Sequence, residues 1–175
     1  MLKKINKNKG LFIRVSGLPG SGKTEISRKL LPKIKNLYGP TIMWSGDDLR
    51  RIFRNRKYNI KERYLFGISN VKLAAFINNQ KINVIFATVG LNEKIRQFTK
   101  KKIKNYIEVL IYTNITKIKK LKIRKFYTNG SMNVWGNDIK PEFPKNPDIK
   151  IKNDFKKDIN SLVEIILNKI NKIIK

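Results

Sequence analysis

The segment from Gly17 to Thr24 has the residue types and spacing that bind nucleotide phosphates, because G-L-P-G-S-G-K-T matches the pattern G-x-x-x-x-G-K-[S/T]. Glycines let backbone N–H groups close around phosphate oxygens, and the N-terminus of a following helix adds positive charge. We expect Lys23 to hold the β and γ phosphates of ATP, and Thr24 to place its hydroxyl on Mg²⁺. The residues predicted to bind ATP are Gly17, Leu18, Pro19, Gly20, Ser21, Gly22, Lys23 and Thr24.

The residues on either side of this loop support the same interpretation. An apolar run over 11–16 predicts a β-strand that ends directly before Gly17, and a helical pattern starts at Gly22. The alternative is a glycine turn that carries a lysine by chance, which would not need a strand in front of it. We therefore predict a phosphate-binding loop between the first strand and the first helix.

Two acidic residues follow the second candidate strand, in the sequence Ser45-Gly46-Asp47-Asp48-Leu49-Arg50. The carboxyl ends of the strands form the usual ligand crevice of an open α/β sheet. Asp47 is predicted to accept the proton of an acceptor hydroxyl and to help hold Mg²⁺. Either aspartate could instead cap the N-terminus of a helix, and for Asp48 both interpretations stay open.

The sequence contains no Cys and no His. Disulfides, thiolate metal ligands, cysteine nucleophiles and imidazole acid–base chemistry are therefore excluded. Catalysis has to use carboxylates, cations and a metal ion.

Short β-rich runs alternate with helix-length segments along the chain. This alternation predicts the α/β class, with a parallel sheet covered by helices on both faces in three layers. Helices are expected over 22–37, where Pro32 should kink or end the helix, over 60–80, and from Asp154 onward. The predicted strands are 11–16, 41–45, 83–88 and 106–113.

The stretch from Thr113 to Pro147 is the least regular part, with an Asn-Gly pair and three prolines. We predict a mobile lid and its return loop over about 113–147, within one domain that spans residues 1–175. The tail from Asp154 has apolar residues on one helical face. A helix packed on the sheet is favoured there over one that lies on a membrane.

The formal charge is +28, from 40 Lys and Arg against 12 Asp and Glu. Lysine is abundant everywhere in the chain, so compositional bias explains this charge better than a basic patch that binds nucleic acid. The apolar run near the N-terminus is short and is interrupted by Arg14, and no stretch has the length of a membrane helix. We expect a cytoplasmic protein with no membrane partner and no nucleic-acid partner.

Motifs beyond the phosphate loop resemble those of the adenylylsulfate kinase family, in order and at compatible spacings over nearly the whole chain. The segment 45–50 resembles D-G-D-N-x-R, and 58–63 is similar to F-S-x-x-x-R. Near the other end, 124–127 resembles the K-G-L-Y of the family's lid, and 134–138 resembles F-T-G-I-D. The expected proline-rich segment follows at 144–148.

The resemblance implies a P-loop kinase that moves the γ-phosphate of ATP onto the ribose 3′-hydroxyl of a nucleotide with a 5′ mixed anhydride. Arginines could clamp the anions and aromatic rings could stack the base, although each could also be an ordinary surface or core residue. The expected partners are ATP or ADP and a small nucleotide acceptor, with a homodimer left open. The predicted catalytic residues are Asp47, Lys23 and Arg124, and the predicted acceptor-binding residues are Arg50, Tyr58, Arg63, Phe66, Val134 and Trp135.

The sequence departs from the family where acceptor contacts are expected. The family's E-N-I-R-R is replaced by Leu65-Phe66-Gly67-Ile68-Ser69, and a Ser-Pro after the third strand is replaced by Gly90-Leu91. Losing several hydrogen-bonding groups changes specificity more than chemistry. The chain is similar to the capsule-biosynthesis branch of the family, which includes a kinase of cytidine diphosphoramidate, and we place this acceptor slightly ahead of adenylylsulfate.

Two other classes of function stay open at this point. A nucleic-acid end kinase would fit the positive charge and would bind nucleic acid with strong salt dependence. A regulatory module that binds nucleotide without turnover is compatible with the same fold, and it would tolerate the loss of Asp47.

Overall fold

A computed structural model of the chain describes residues 3–121, 127 and 132–174. It contains one sheet of five parallel strands in the order β2-β3-β1-β4-β5. The strands are β1 Phe12–Ser16, β2 Thr41–Ser45, β3 Asn83–Ala87, β4 Tyr106–Tyr112 and β5 Ile149–Lys152. The helices are α1 Lys23–Tyr38, α2 Gly46–Ile52, α3 Ile60–Asn78, α4 Glu93–Lys102, α5 Ile115–Lys120 and α6 Ile159–Ile174.

Two apolar clusters cover the two faces of the sheet. On one face α1 and α6 pack on Ile13, Ile85 and Val109, which are fully buried. On the other face α3 and α4 pack on Phe12 and Phe86. Because successive strand residues point to opposite faces, β1 supplies both clusters with alternate side chains. The predicted three-layer α/β fold is confirmed.

A third cluster lies beyond the carboxyl ends of the strands. Leu18 from the loop after β1 packs there with Tyr127, Val134 and Trp135. The loop after β1 and the segment that carries Val134 and Trp135 thus meet at the carboxyl end of this central strand. This is the expected position of the ligand crevice in a doubly wound sheet.

The structure differs from the sequence-based expectation at Pro32. Helix α1 continues from Lys23 to Tyr38 through this proline instead of ending there. Pro32 is exposed, so it lies outside the buried stripe formed by Ile26, Leu30 and Ile34. Burial of that stripe holds the helix together across the missing backbone donor.

Four elements were not predicted from the sequence: α2, α4, α5 and β5. Two of the helices, α2 and α5, have at most 7 residues, and β5 has only 4. Elements this short carry little periodic signal. In the described part of the chain, no helix has the length and apolar character that crossing a membrane requires.

Candidate active site

The phosphate loop, residues 17–24, is shaped by glycines in conformations that other residues rarely adopt. Gly22 has a φ of 88°, and Gly17 lies so close to β4 that a Cβ atom would approach the Ile111 carbonyl oxygen to 2.4 Å. The Asn153 side chain, just after β5, donates to the Ser21 carbonyl at 3.1 Å. The loop is therefore fixed from both sides, and Asn153 is a supporting residue that the sequence did not reveal.

Lys23 begins helix α1 and is 7% exposed. Its Nζ donates to the Leu18 carbonyl at 2.7 Å and lies 3.4 Å from the Ser21 hydroxyl. The ammonium group thus lies within the loop, among backbone groups of the kind that surround phosphates. Thr24 is half-buried and faces the cavity that opens beside the loop.

The two neighbouring aspartates have different environments. Ser45 caps α2, and the Asp48 carboxylate completes a capping box by accepting from the Ser45 N–H at 2.9 Å and from its hydroxyl at 2.7 Å. The hydrogen bond from the Ser45 hydroxyl, followed by that from its N–H, lowers the pKa of Asp48. Asp47 is exposed, lies outside this box and lines the cavity. Neither aspartate is the N-cap residue, which is Ser45, and Asp48 completes the capping box from the third helical position.

Two arginines and three aromatic rings form one side of the cavity, and we call Arg50, Tyr58, Arg63, Phe66 and Trp135 the arginine–aromatic wall. The Arg50 guanidinium lies 4.4 Å from the centre of the Tyr58 ring and 4.8 Å from that of Phe66. Arg63 lies 5.2 Å from the Tyr58 ring and 6.0 Å from that of Trp135. Stacking of guanidinium on aromatic faces holds these cations in defined positions.

Backbone carbonyls fix the two arginines further. Arg50 donates to the Lys57 carbonyl at 2.9 Å, while Arg63 donates to the Tyr58 carbonyl at 2.5 Å and to the Asn133 carbonyl. Burial lowers the pKa of Arg63, and the charge of Arg50 lowers it further. Two cations held this close together favour an anionic ligand between them.

The segment that carries Trp135 is attached to the phosphate loop. The Tyr127 hydroxyl lies 3.2 Å from the Pro19 carbonyl oxygen and 3.2 Å from that of Trp135. The Asp138 carboxylate accepts hydrogen bonds from the N–H groups of Asn133 and, at 2.6 Å, Val134, and the Val134 bond is the main cause of its lowered pKa. Trp135 is a buried core residue and also lines the cavity, so its stacking on a base stays a prediction.

One cavity of about 450 Å³ connects these parts. Lys23, Thr24 and Asp47 line it together with the arginine–aromatic wall and Val134. Every acceptor-binding residue predicted from the sequence thus faces the same space as the lysine, threonine and aspartate of the phosphate side. Arg124, the remaining predicted catalytic residue, lies outside the described residues.

The family model described as Adenylylsulphate kinase matches residues 9–152 of this chain. The chain belongs to the adenylylsulfate kinase family. It is therefore a kinase, a phosphotransferase whose acceptor is a hydroxyl group, and the family identification made from the motifs is confirmed.

Similarity to known members of the adenylylsulfate kinase family covers nearly the whole chain. The cytidine diphosphoramidate kinase of Campylobacter jejuni subsp. jejuni serotype O:2 is 32% identical over 94% of this chain and 98% of its own. The adenylyl-sulfate kinase of Gloeothece citriformis is 22% identical over 95% and 97%. The solved structure of the Mycobacterium tuberculosis APS kinase with AMPPNP and APS has a TM-score of 0.84 at 17% identity, over 93% and 98% of the two chains, which shows a shared fold.

This adenylylsulfate kinase family member offers few protein ligands for a metal. Within the described ranges, no group of three or more acidic side chains could hold an ion by itself. The Thr24 hydroxyl and the Asp47 carboxylate line one cavity with Lys23 and supply hard oxygen ligands. This small set fits Mg²⁺, which keeps several waters and shares the phosphates of its nucleotide.

The cavity also contains polar residues that the sequence analysis did not propose, including Arg14 on β1 and Asn70 on α3. Arg14 donates to the Gly90 carbonyl at 3.0 Å. In the sheet, Arg14 of β1 lies next to Glu108 of β4 in the strand register. Burial raises the pKa of Glu108, while the charges of Arg14 and Arg96 act in the opposite direction. The sequence does contain a signal that could have identified Arg14, because it is a charged residue inside an otherwise apolar central strand.

Proposed function

We propose that this kinase transfers the γ-phosphate of ATP to the ribose 3′-hydroxyl of a nucleoside 5′-anhydride, and that cytidine diphosphoramidate is the acceptor. One observation carries the proposal: residues of the phosphate loop, Asp47 and the arginine–aromatic wall line the same cavity. The 32% identity with a cytidine diphosphoramidate kinase over 94% of the chain supports the choice of acceptor.

Asp47 is the proposed general base. In the described part of the structure its carboxylate makes no hydrogen bond, whereas Asp48 is occupied by the capping box. In the reaction Asp47 takes the proton of the 3′-hydroxyl, and the hydroxyl oxygen forms a bond to the γ-phosphorus. The bond from that phosphorus to the β–γ bridging oxygen breaks, and ADP leaves with the electron pair.

Lys23 stabilises the charge that develops on the transferred phosphoryl group, since its ammonium lies inside the phosphate loop. We propose that Thr24 and Asp47 hold Mg²⁺ together with the nucleotide phosphates. When bound, the ion neutralises phosphate charge and keeps β and γ oxygens in position. Arg124 is proposed to add a further cation from the lid.

On the acceptor side, Arg50 and Arg63 are proposed to contact the oxygens of the 5′-anhydride. Each guanidinium has five N–H donors, and the backbone carbonyls described above use only some of them. Tyr58 and Trp135 offer ring faces to the base, and stacking accepts different bases more readily than hydrogen bonding does.

Adenylylsulfate is the second candidate acceptor, because the family model is that of adenylylsulfate kinases and three of the four similar curated proteins are adenylyl-sulfate kinases or probable ones. An ADP-release assay with both acceptors separates the two. We expect a higher kcat/KM for cytidine diphosphoramidate. An equal or higher value for adenylylsulfate would show that the enzyme makes 3′-phosphoadenylylsulfate.

A further inference from the structure

Asn70 lies on α3, is 4% exposed and lines the cavity. Phe66, one turn earlier on the same helix, and Phe86 on β3 line the same cavity. Among the described residues, nothing accepts from or donates to its side-chain amide. Its amide atoms open onto the cavity and are not enclosed by the protein. The amide is therefore placed where it can hydrogen-bond to a ligand in the cavity.

Arg14 faces the same cavity from central strand β1 and is 2% exposed. One terminal nitrogen donates to the Gly90 carbonyl at 3.0 Å, the other lies 3.5 Å from the Thr99 hydroxyl, and Nε has no partner in the described structure. Gly90 has a φ of +54°, and a Cβ atom there would lie 2.7 Å from the guanidinium. The glycine therefore leaves the space that Arg14 occupies.

Together these side chains offer a defined pattern of donors and acceptors. Asn70 provides one acceptor and one pair of donors, and Arg14 provides donors only. The matching base edge has an amino donor beside two acceptors. Cytosine has this edge, in its amino group, ring nitrogen and carbonyl oxygen. Uracil presents an N–H where cytosine presents the ring nitrogen, and adenine lacks the second acceptor.

We propose that Asn70 and Arg14 read the base edge of the acceptor and select cytosine. This inference rests on the proposed function and names the residues that give its site base specificity. Asn70 bonds the amino group and ring nitrogen, and Arg14 bonds the carbonyl oxygen. The arginine–aromatic wall accepts the base face and the anhydride, so base identity is read at a different part of the cavity.

The test compares kcat/KM for cytidine diphosphoramidate, its uridine counterpart and adenylylsulfate. For the wild-type enzyme we expect the cytidine compound to exceed the uridine compound by about tenfold or more. Asn70→Leu removes both hydrogen bonds at similar size and should reduce that ratio to near one, mainly through a higher KM for the cytidine compound. Asn36→Leu, an exposed asparagine on α1, is the matched control and should keep the ratio.

A second variant keeps the test usable if Asn70→Leu does not fold. Asn70→Asp has the same size and keeps an acceptor for the amino group, but it loses the donor to the ring nitrogen, so it should also lower the ratio. Arg14→Lys should lower it less, because a lysine keeps a donor without the fixed geometry.

The outcomes separate the inference from the proposed function. A wild-type enzyme that prefers the cytidine compound, with the same ratio in folded Asn70→Leu and Asn70→Asp, overturns the role of Asn70 and leaves the function standing. Equal rates with the cytidine and uridine compounds overturn base reading alone. A preference for adenylylsulfate overturns the proposed acceptor and cytosine selection together.

Discussion

The phosphate loop and the arginine–aromatic wall face the same cavity but are built from different parts of the chain. The loop depends on glycine conformations and backbone groups, with a single lysine side chain inside it. The wall consists of side chains, in which guanidinium groups stack on aromatic rings. Backbone groups recognise a phosphate whatever nucleotide carries it, whereas side chains can be exchanged one at a time. We infer that the loop supports the chemistry common to all acceptors and that the wall binds the base face and the anhydride of the acceptor.

The largest effect is expected in the phosphate loop. Lys23→Ala should lower kcat by at least about 10²–10³-fold with every acceptor, because it removes a preorganised charge from the transferred phosphoryl group. Lys35→Ala, an exposed position on the same helix, is the control. ADP release measures the effect, and turnover near the wild-type value would contradict the role of the loop.

Asp47→Asn comes next, since it keeps the size of the side chain but removes the base and the full charge. We expect kcat to fall about 10²-fold or more while ATP affinity changes much less. Initial rates and ATP binding are measured on the same preparation. Unchanged turnover would exclude Asp47 from the mechanism.

A substitution in the arginine–aromatic wall should have a smaller and more selective effect. Arg63→Lys keeps the charge but loses the planar stack on Tyr58 and the forked donors. We expect KM for the acceptor to rise about tenfold, with KM for ATP unchanged. If KM for the acceptor and KM for ATP rise together, the wall does not act on the acceptor alone, which would contradict the inference.

The segment proposed as a lid, residues 113–147, connects the two regions. Closure over both substrates would exclude water during transfer. Backbone hydrogen exchange in this segment should slow severalfold when ATP analogue and acceptor are both bound. Equal exchange with and without ligands would count against a lid.

The smallest effect is expected at Asp48, which serves as the structural counterpart of Asp47. Asp48→Asn should lower the free energy of unfolding by about 1 kcal/mol with little loss of turnover, because it weakens the capping box of α2. The folded state lowers the pKa of Asp48, so its stabilisation is present at neutral pH and is lost as pH falls through that lowered pKa. Denaturant unfolding of both proteins at pH 7 and pH 3 tests this, and a difference that grows at low pH would contradict it.

The sequence revealed the phosphate loop and the central strands because each rests on local information. A glycine-rich loop has a fixed spacing, and fully buried strands read as apolar runs. It also identified the residues of the arginine–aromatic wall through the family resemblance. The sequence analysis missed that Ser45, and neither aspartate, is the N-cap of α2, although the Ser-x-x-Asp spacing of Ser45 and Asp48 is that of a capping box.

Asn70 and Asn153 were missed for a related reason. A single asparagine in a helix or after a strand has no pattern of its own, and its role appears only when the residues around it are known. Asn153 supports the loop through the Ser21 carbonyl, while Asn70 stands out because its amide is buried beside a cavity.

The Tyr127 hydroxyl lies 3.2 Å from a carbonyl of the phosphate loop and 3.2 Å from the carbonyl of Trp135. Through this shared hydroxyl, we expect nucleotide in the loop to affect the position of Trp135, which we propose as a contact of the acceptor. Where two ligands are coupled, the change in affinity that each causes in the other must be equal. The expected result is cooperative binding, with the affinity for the acceptor dependent on whether nucleotide is already present.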